Sequence, residues 1–214
     1  MIRIVYVDEQ EQDREAFVDA FQNEIQRGEV EVIAEHPRIN IDDMVAHLLD
    51  LNVEAIIVDF SLSLNDPEIK YDGAELLTKI LEVKEGFPVY ILTQNLETAK
   101  VDSEFDPSKV ITKAELAEDG RKSDLTRKII HTVDYYRKLR KGEEESYENL
   151  KKELETQGNL SDAKLIKLKE LERLISSRIN KKELLPPEVV HTQALKELTS
   201  ILKEAQDFLN KVKK

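Results

Sequence analysis

The 214-residue sequence predicts an α/β fold, a five-stranded parallel sheet with helices on both faces, followed by an all-α bundle or hairpin. Three observations carry that expectation. Short apolar runs rich in Val and Ile alternate with helical periodicity up to residue 139, the pattern of a parallel sheet covered by helices. Two of these runs end in acid, IRIVYV passing into Asp8 and Glu9 and AIIV into Asp59. Charge and hydrophobic period then change together: residues 1–139 hold 16 Lys+Arg against 30 Asp+Glu, whereas residues 140–214 hold 16 against 14. We therefore divide the chain into 1–139 and 140–214.

The elements follow in order. Strands are expected at 2–7, 30–34, 54–60, 88–93 and 109–112. Between them lie helical patterns at 11–26, closed by Gly28, at 41–51, opened by Asn40, and at 73–85, closed by Gly86. A short helix near 95–103 connects the fourth and fifth strands, and another helix starts at Ser123 or Asp124, either of which suits an N-cap. From there to about Thr156 the sequence can run as one long helix: Leu125, Ile129, Val133, Tyr136 and Leu139 form a stripe, which KGEEES (141–146) interrupts and Tyr147, Leu150 and Leu154 resume. Gly142 reads as a hinge, since glycine inside a helix costs about 1 kcal/mol relative to alanine. QGN (157–159) signals a turn, and a second tail helix follows Ser161. LLPPE (184–188) breaks it, and a last helix carries Ala194, Leu198, Ile201, Ala205, Phe208 and Val212 as a broad apolar stripe.

Composition narrows the function. The net charge of −12 argues against general nucleic-acid binding, and the tail's interleaved charges lack the basic face of a recognition helix, so DNA is not an expected partner. No apolar run approaches the ~18 residues of a membrane span, and the start of the sequence lacks a signal-peptide layout. Zero cysteines fit a reducing compartment and exclude thiolate metal sites. The expected location is the cytoplasm.

The strand ends hold the chemistry. In a parallel α/β sheet ligands bind beyond the carboxyl ends of the strands. Asp8, Glu9, Asp59, Thr93 and Lys113 all fall there. Converging carboxylates call for a hard cation with oxygen ligands, Mg2+ by default, and a hydroxyl with an ammonium suits the oxygens of a phosphoryl group. A central carboxylate nucleophile would form an acyl phosphate.

In the order IVYVDE, IIVDF, YDGAELL, PVYILT and VITK, these pieces resemble the receiver domain of two-component response regulators. The resemblance implies a flavodoxin-like receiver over 1–139, with Asp59 as phosphoacceptor. It also implies Mg2+ held by Asp8, Glu9, Asp59 and the backbone carbonyl of Ser61, with Thr93 and Lys113 on the phosphoryl group. Such a protein is a cytoplasmic signalling regulator, not an enzyme beyond its own phosphotransfer and dephosphorylation. Its donor would be a histidine kinase or phosphotransfer protein, and its helical module (140–214) would contact a protein partner or a second copy of the chain. Four positions depart from the family pattern. Glu9 stands where Asp is usual, Gln94 where a small residue follows the threonine, Ala114 in place of Pro, and Val110 in place of a switching Tyr or Phe. The loop from Asp59 to Gly73 is also longer than usual. Two alternatives stay open on these grounds: a phosphate sink or relay intermediate, and a receiver-like scaffold that is never phosphorylated.

Overall fold

The computed structural model describes residues 1–64, 66–94, 106–117 and 119–178. The expected helix near 95–103, the LLPPE break and the stripe from Ala194 to Val212 lie outside them. Five strands form one parallel sheet: β1 (Ile2–Val7), β2 (Val30–Glu35), β3 (Ala55–Asp59), β4 (Val89–Thr93) and β5 (Val110–Thr112). Their order is β2-β1-β3-β4-β5. This is the doubly wound, flavodoxin-like strand order. Each strand lies within two residues of its expected bounds, and β3 and β4, buried throughout, write themselves as nearly continuous apolar runs.

The helices are α1 (Glu11–Ala20), α2 (Gln22–Gln26), α3 (Ile41–Asp50), α4 (Gly73–Val83), α5 (Ala114–Ala117), α6 (Asp119–Gln157) and α7 (Asp162–Arg178). Asn40 caps α3 as expected, its side chain accepting from the backbone N–H groups of Asp42 and Asp43. At α4, Asp72 and Glu75 form a reciprocal capping box. Gly28 and Gly86 end their helical segments with φ of 70° and 71°, a conformation that costs glycine little. The expected helix over 11–26 is split at Phe21, a buried residue against which Phe17 packs at 5.2 Å.

Side-chain alternation gives the sheet two apolar faces. Val5, Val7, Ile56, Val58, Val89 and Ile91 face one core, shared with Met44 and Leu48 of α3 and with Leu76, Leu77 and Ile80 of α4. Ile4, Tyr6, Ala55, Ile57, Leu92 and Ile111 face the other, shared with Phe17 and Phe21 and with Leu125, Ile129 and Val133 of α6.

The chain divides into two compact units, Met1–Gly142 and Glu143–Lys214. In the second, Tyr147, Leu150 and Leu154 pack with Leu160, Leu168, Leu171 and Ile175 across a helical hairpin. Its turn is built at Gly158, with φ of 75° and its N–H donating to the Leu154 carbonyl at 2.8 Å. Helix α6 differs from expectation twice. It begins at Asp119, ahead of Ser123, and residues 141–146 are helical throughout. The single glycine's cost is small beside the apolar residues that flank it on the same helix, Val133 and Tyr136 before it and Tyr147 and Leu150 after it, all buried.

Two glycine substitutions test this account in opposite directions. A methyl group at Gly73 would stand 2.2 Å from the Asp59 carbonyl oxygen, so Gly73→Ala is expected to cost about 2–4 kcal/mol in urea unfolding. At Gly142 a methyl group meets nothing within 4 Å, so Gly142→Ala is expected to stabilise the helix by about 0.5–1 kcal/mol.

Candidate functional site

Strand alternation builds the site. Asp8, Asp59 and Lys113 each stand two residues beyond a core residue of the same sheet face: Tyr6, Ile57 and Ile111. The sheet thus carries its apolar face up to its carboxyl edge and ends it in two acids and an ammonium. Backbone hydrogen bonds fix that edge. Asp8 N–H donates to the Glu35 carbonyl at 3.2 Å, Phe60 N–H to Leu92 at 2.9 Å and Lys113 N–H to Thr93 at 2.8 Å. Below Asp59 the absent side chain of Gly73 lets α4 approach, its N–H donating to the Phe60 carbonyl at 3.0 Å.

The expected residues do come together. Asp8, Glu9 and Asp59 each offer a carboxylate oxygen within 4.8 Å of the other two. All three are buried, Asp8 fully. The extra methylene of Glu9 therefore does not carry its carboxylate away from the cluster. Lys113 Nζ lies 2.8 Å from Asp8 Oδ2 and 2.7 Å from Asp59 Oδ1. Ser61 N–H donates to Asp59 Oδ2 at 2.6 Å. The Ser61 carbonyl accepts from Leu64 N–H at 3.0 Å, which uses one of its two lone pairs. Glu9, Asp59, Ser61, Thr93, Gln94 and Lys113 all line an opening of about 170 Å³ above the strand ends. Val110 is buried in the core below β5, and Ala114 opens the short helix α5.

Three residues of the site escape sequence reasoning. Asp13, on α1, is a third carboxylate bonded to Lys113 Nζ. Tyr6, fully buried in β1, donates its hydroxyl to Asp8 Oδ2 at 2.5 Å. Gly73 supplies the close approach under Asp59. Glycine directly after a capping aspartate was the one available signal.

The electrostatics follow from burial and from one ammonium shared among acids. Desolvation pushes the Asp59 carboxyl up to about 6, with Asp8 adding repulsion, while Lys113 and the Ser61 N–H pull it back. Burial works against the Lys113 ammonium, yet Asp13, Asp59 and Asp8 together hold it above the ordinary lysine range. Burial and the neighbouring Asp8 raise the Tyr6 phenol far beyond its usual value and keep it protonated. Chemically, the clustered donors are all carboxylate oxygens, which fits a hard divalent cation such as Mg2+. Among the described residues no helix is long and apolar enough to cross a membrane.

No protein-family profile matches the chain, and no curated protein matches it. Among solved structures it is similar to a two-component transcriptional regulator AraC from Clostridium phytofermentans ISDg, with 18% identity and a TM-score of 0.48, over 64% of this chain and 98% of that one. It is similar to the anti-anti-sigma factor PhyR from Bartonella quintana, with 15% identity and a TM-score of 0.43, over 64% of this chain and about half (49%) of that one. It is also similar to the RcsB response regulator of Salmonella typhimurium, with 14% identity and a TM-score of 0.41, over 82% and 93% of the two chains. Likenesses this distant say nothing of what this chain binds or acts on.

The raised pKa has a sign that stability measurements can read. Asp59 holds its proton up to about pH 6 in the folded chain, against an ordinary value of 3.8, so its ionised form weighs against folding above pH 6. Asp59→Asn is therefore expected to stabilise the metal-free protein by about 2 kcal/mol at pH 7.5. The gain should shrink as pH falls through 6 and vanish near 4, in thermal melts of both proteins.

Proposed function

We propose that the chain is a phosphoacceptor receiver, with Asp59 taking a phosphoryl group and the helical tail passing its state to a protein partner. The observation that carries this reading is the setting of Asp59. It is a buried carboxylate, 2.7 Å from an ammonium and 2.6 Å from a backbone N–H, on the floor of an opening it shares with Glu9 and Thr93.

The chemistry follows from that setting. With a pKa near 6, Asp59 is mostly ionised at neutral pH while remaining more basic than an ordinary carboxylate, which favours it as a nucleophile. One of its oxygens attacks the phosphorus of the donor. For a phosphohistidine donor the P–N bond breaks, the electron pair returns to the imidazole nitrogen, and an acyl phosphate remains on Asp59. Lys113, already 2.7 Å from Asp59 Oδ1, balances charge on the arriving phosphoryl oxygens, and the Thr93 hydroxyl donates to one of them. Asp8, Glu9, Asp59 and the Ser61 carbonyl would hold Mg2+, which supplies charge neutralisation to the phosphoryl oxygens. A histidine kinase or phosphotransfer protein is the donor class. Catalysis is confined to the chain's own phosphorylation and dephosphorylation.

One observation favours a second reading, a receiver scaffold that is never phosphorylated. Lys113 already bridges three carboxylates, so the site has a built-in counter-ion. Intact mass separates the two. Incubation with acetyl phosphate and Mg2+ is expected to add one phosphoryl group, and Asp59→Asn to abolish the addition. No mass change in the wild-type chain supports the scaffold. Labelling that persists in the variant moves the acceptor elsewhere and overturns the assignment to Asp59.

A further inference from the structure

Tyr6 has no part in the phosphoryl chemistry above, yet its hydroxyl touches the site. It lies in the middle of β1, fully buried, with its ring stacked on Phe17 at 4.3 Å and 19° between planes. The next residue on the same sheet face is Asp8, and the stacked ring reaches it, the hydroxyl standing 2.5 Å from Asp8 Oδ2. A phenylalanine would fill the same volume without that bond.

The consequence is seen by counting acceptor positions on Asp8. An ionised carboxylate offers about four lone-pair sites. Oδ1 accepts from Gln10 N–H at 2.7 Å, and Oδ2 accepts from both Tyr6 and Lys113 Nζ, the latter at 2.8 Å. Three sites are used. Glu9 and Asp59 line the opening above the strand ends, and Asp8 does not.

We propose that Tyr6 is a positioning residue that commits Asp8 to anchoring Lys113 and competes with a divalent cation for the Asp8 carboxylate. The inference rests on the receiver reading above, in that it takes Mg2+ as the ion. Tyr6 sets the affinity of the site downward. Each hydroxyl hydrogen bond given to Asp8 withdraws charge and a lone pair from the cation or its water. In the metal-loaded protein the hydroxyl therefore gives up part of its bond to Asp8, while Glu9 and Asp59 carry the larger share of the binding.

The test is a calorimetric titration of the full-length chain with Mg2+ alone, wild type against Tyr6→Phe. The variant is expected to bind roughly five- to tenfold more tightly, the scale of part of one charge-assisted hydrogen bond released to the competitor. A hydroxyl that only satisfies a buried ring would lower the melting temperature on removal and leave the Mg2+ affinity unchanged. Unchanged or weaker binding overturns the inference while leaving the receiver reading in place. Absence of Mg2+ binding by either protein overturns both. A second measurement needs no variant: the Tyr6 hydroxyl bonds a site carboxylate, so Mg2+ should shift the tyrosine near-ultraviolet absorption of the wild-type protein to shorter wavelength. A spectrum indifferent to Mg2+ under saturating conditions also contradicts the proposal.

Discussion

One ammonium holds the site together. Lys113 Nζ bonds Asp8 at the end of β1, Asp13 on α1 and Asp59 at the end of β3, from its own place at the end of β5. Without it, Asp8 and Asp59 would share a buried space with Glu9, and like charges at such distances repel strongly where water is scarce. Asp8, Glu9 and Asp59 still outnumber the ammonium, and burial holds the Asp59 carboxyl up at about 6. A site built for stability alone would have replaced these groups with apolar ones.

The sheet explains why the ammonium can reach all three. Parallel strands put every carboxyl end on one edge, and alternation sends Asp8, Asp59 and Lys113 to the face that α1 covers, where Asp13 lies. Gly73 matters for the same reason. Its missing side chain lets the start of α4 pass under the Asp59 carbonyl, so Asp59 is fixed by backbone on one side and by Lys113 on the other.

The central strands β3 and β4 were legible because burial on both faces leaves little room for polar interruption, and an acid closing such a run stands out. Asp8, Glu9, Asp59, Thr93 and Lys113 were legible as strand-end residues for that reason. Asp13 was not: it lies between Glu11 and Glu15 on a helix rich in acids, and only the third dimension selects it from its neighbours. Tyr6 read as one more apolar strand residue, since a hydroxyl's partner two positions along the same face depends on how the ring leans. The one long helix from about 123 to 156 was legible, and the interruption at 141–146 is absent from it for a different reason. A local glycine penalty of about 1 kcal/mol was weighed without the apolar residues that hold the helix on either side.

The central claim is that Asp59, among the gathered acids, is the one that accepts phosphate. Borohydride reduces an aspartyl phosphate to homoserine and leaves free carboxylates untouched, so peptide mass mapping after treatment with acetyl phosphate and Mg2+ locates the acceptor directly. The account predicts homoserine at position 59 alone. Homoserine at position 8 or 13, or a phosphorylated histidine with position 59 unchanged, would contradict it.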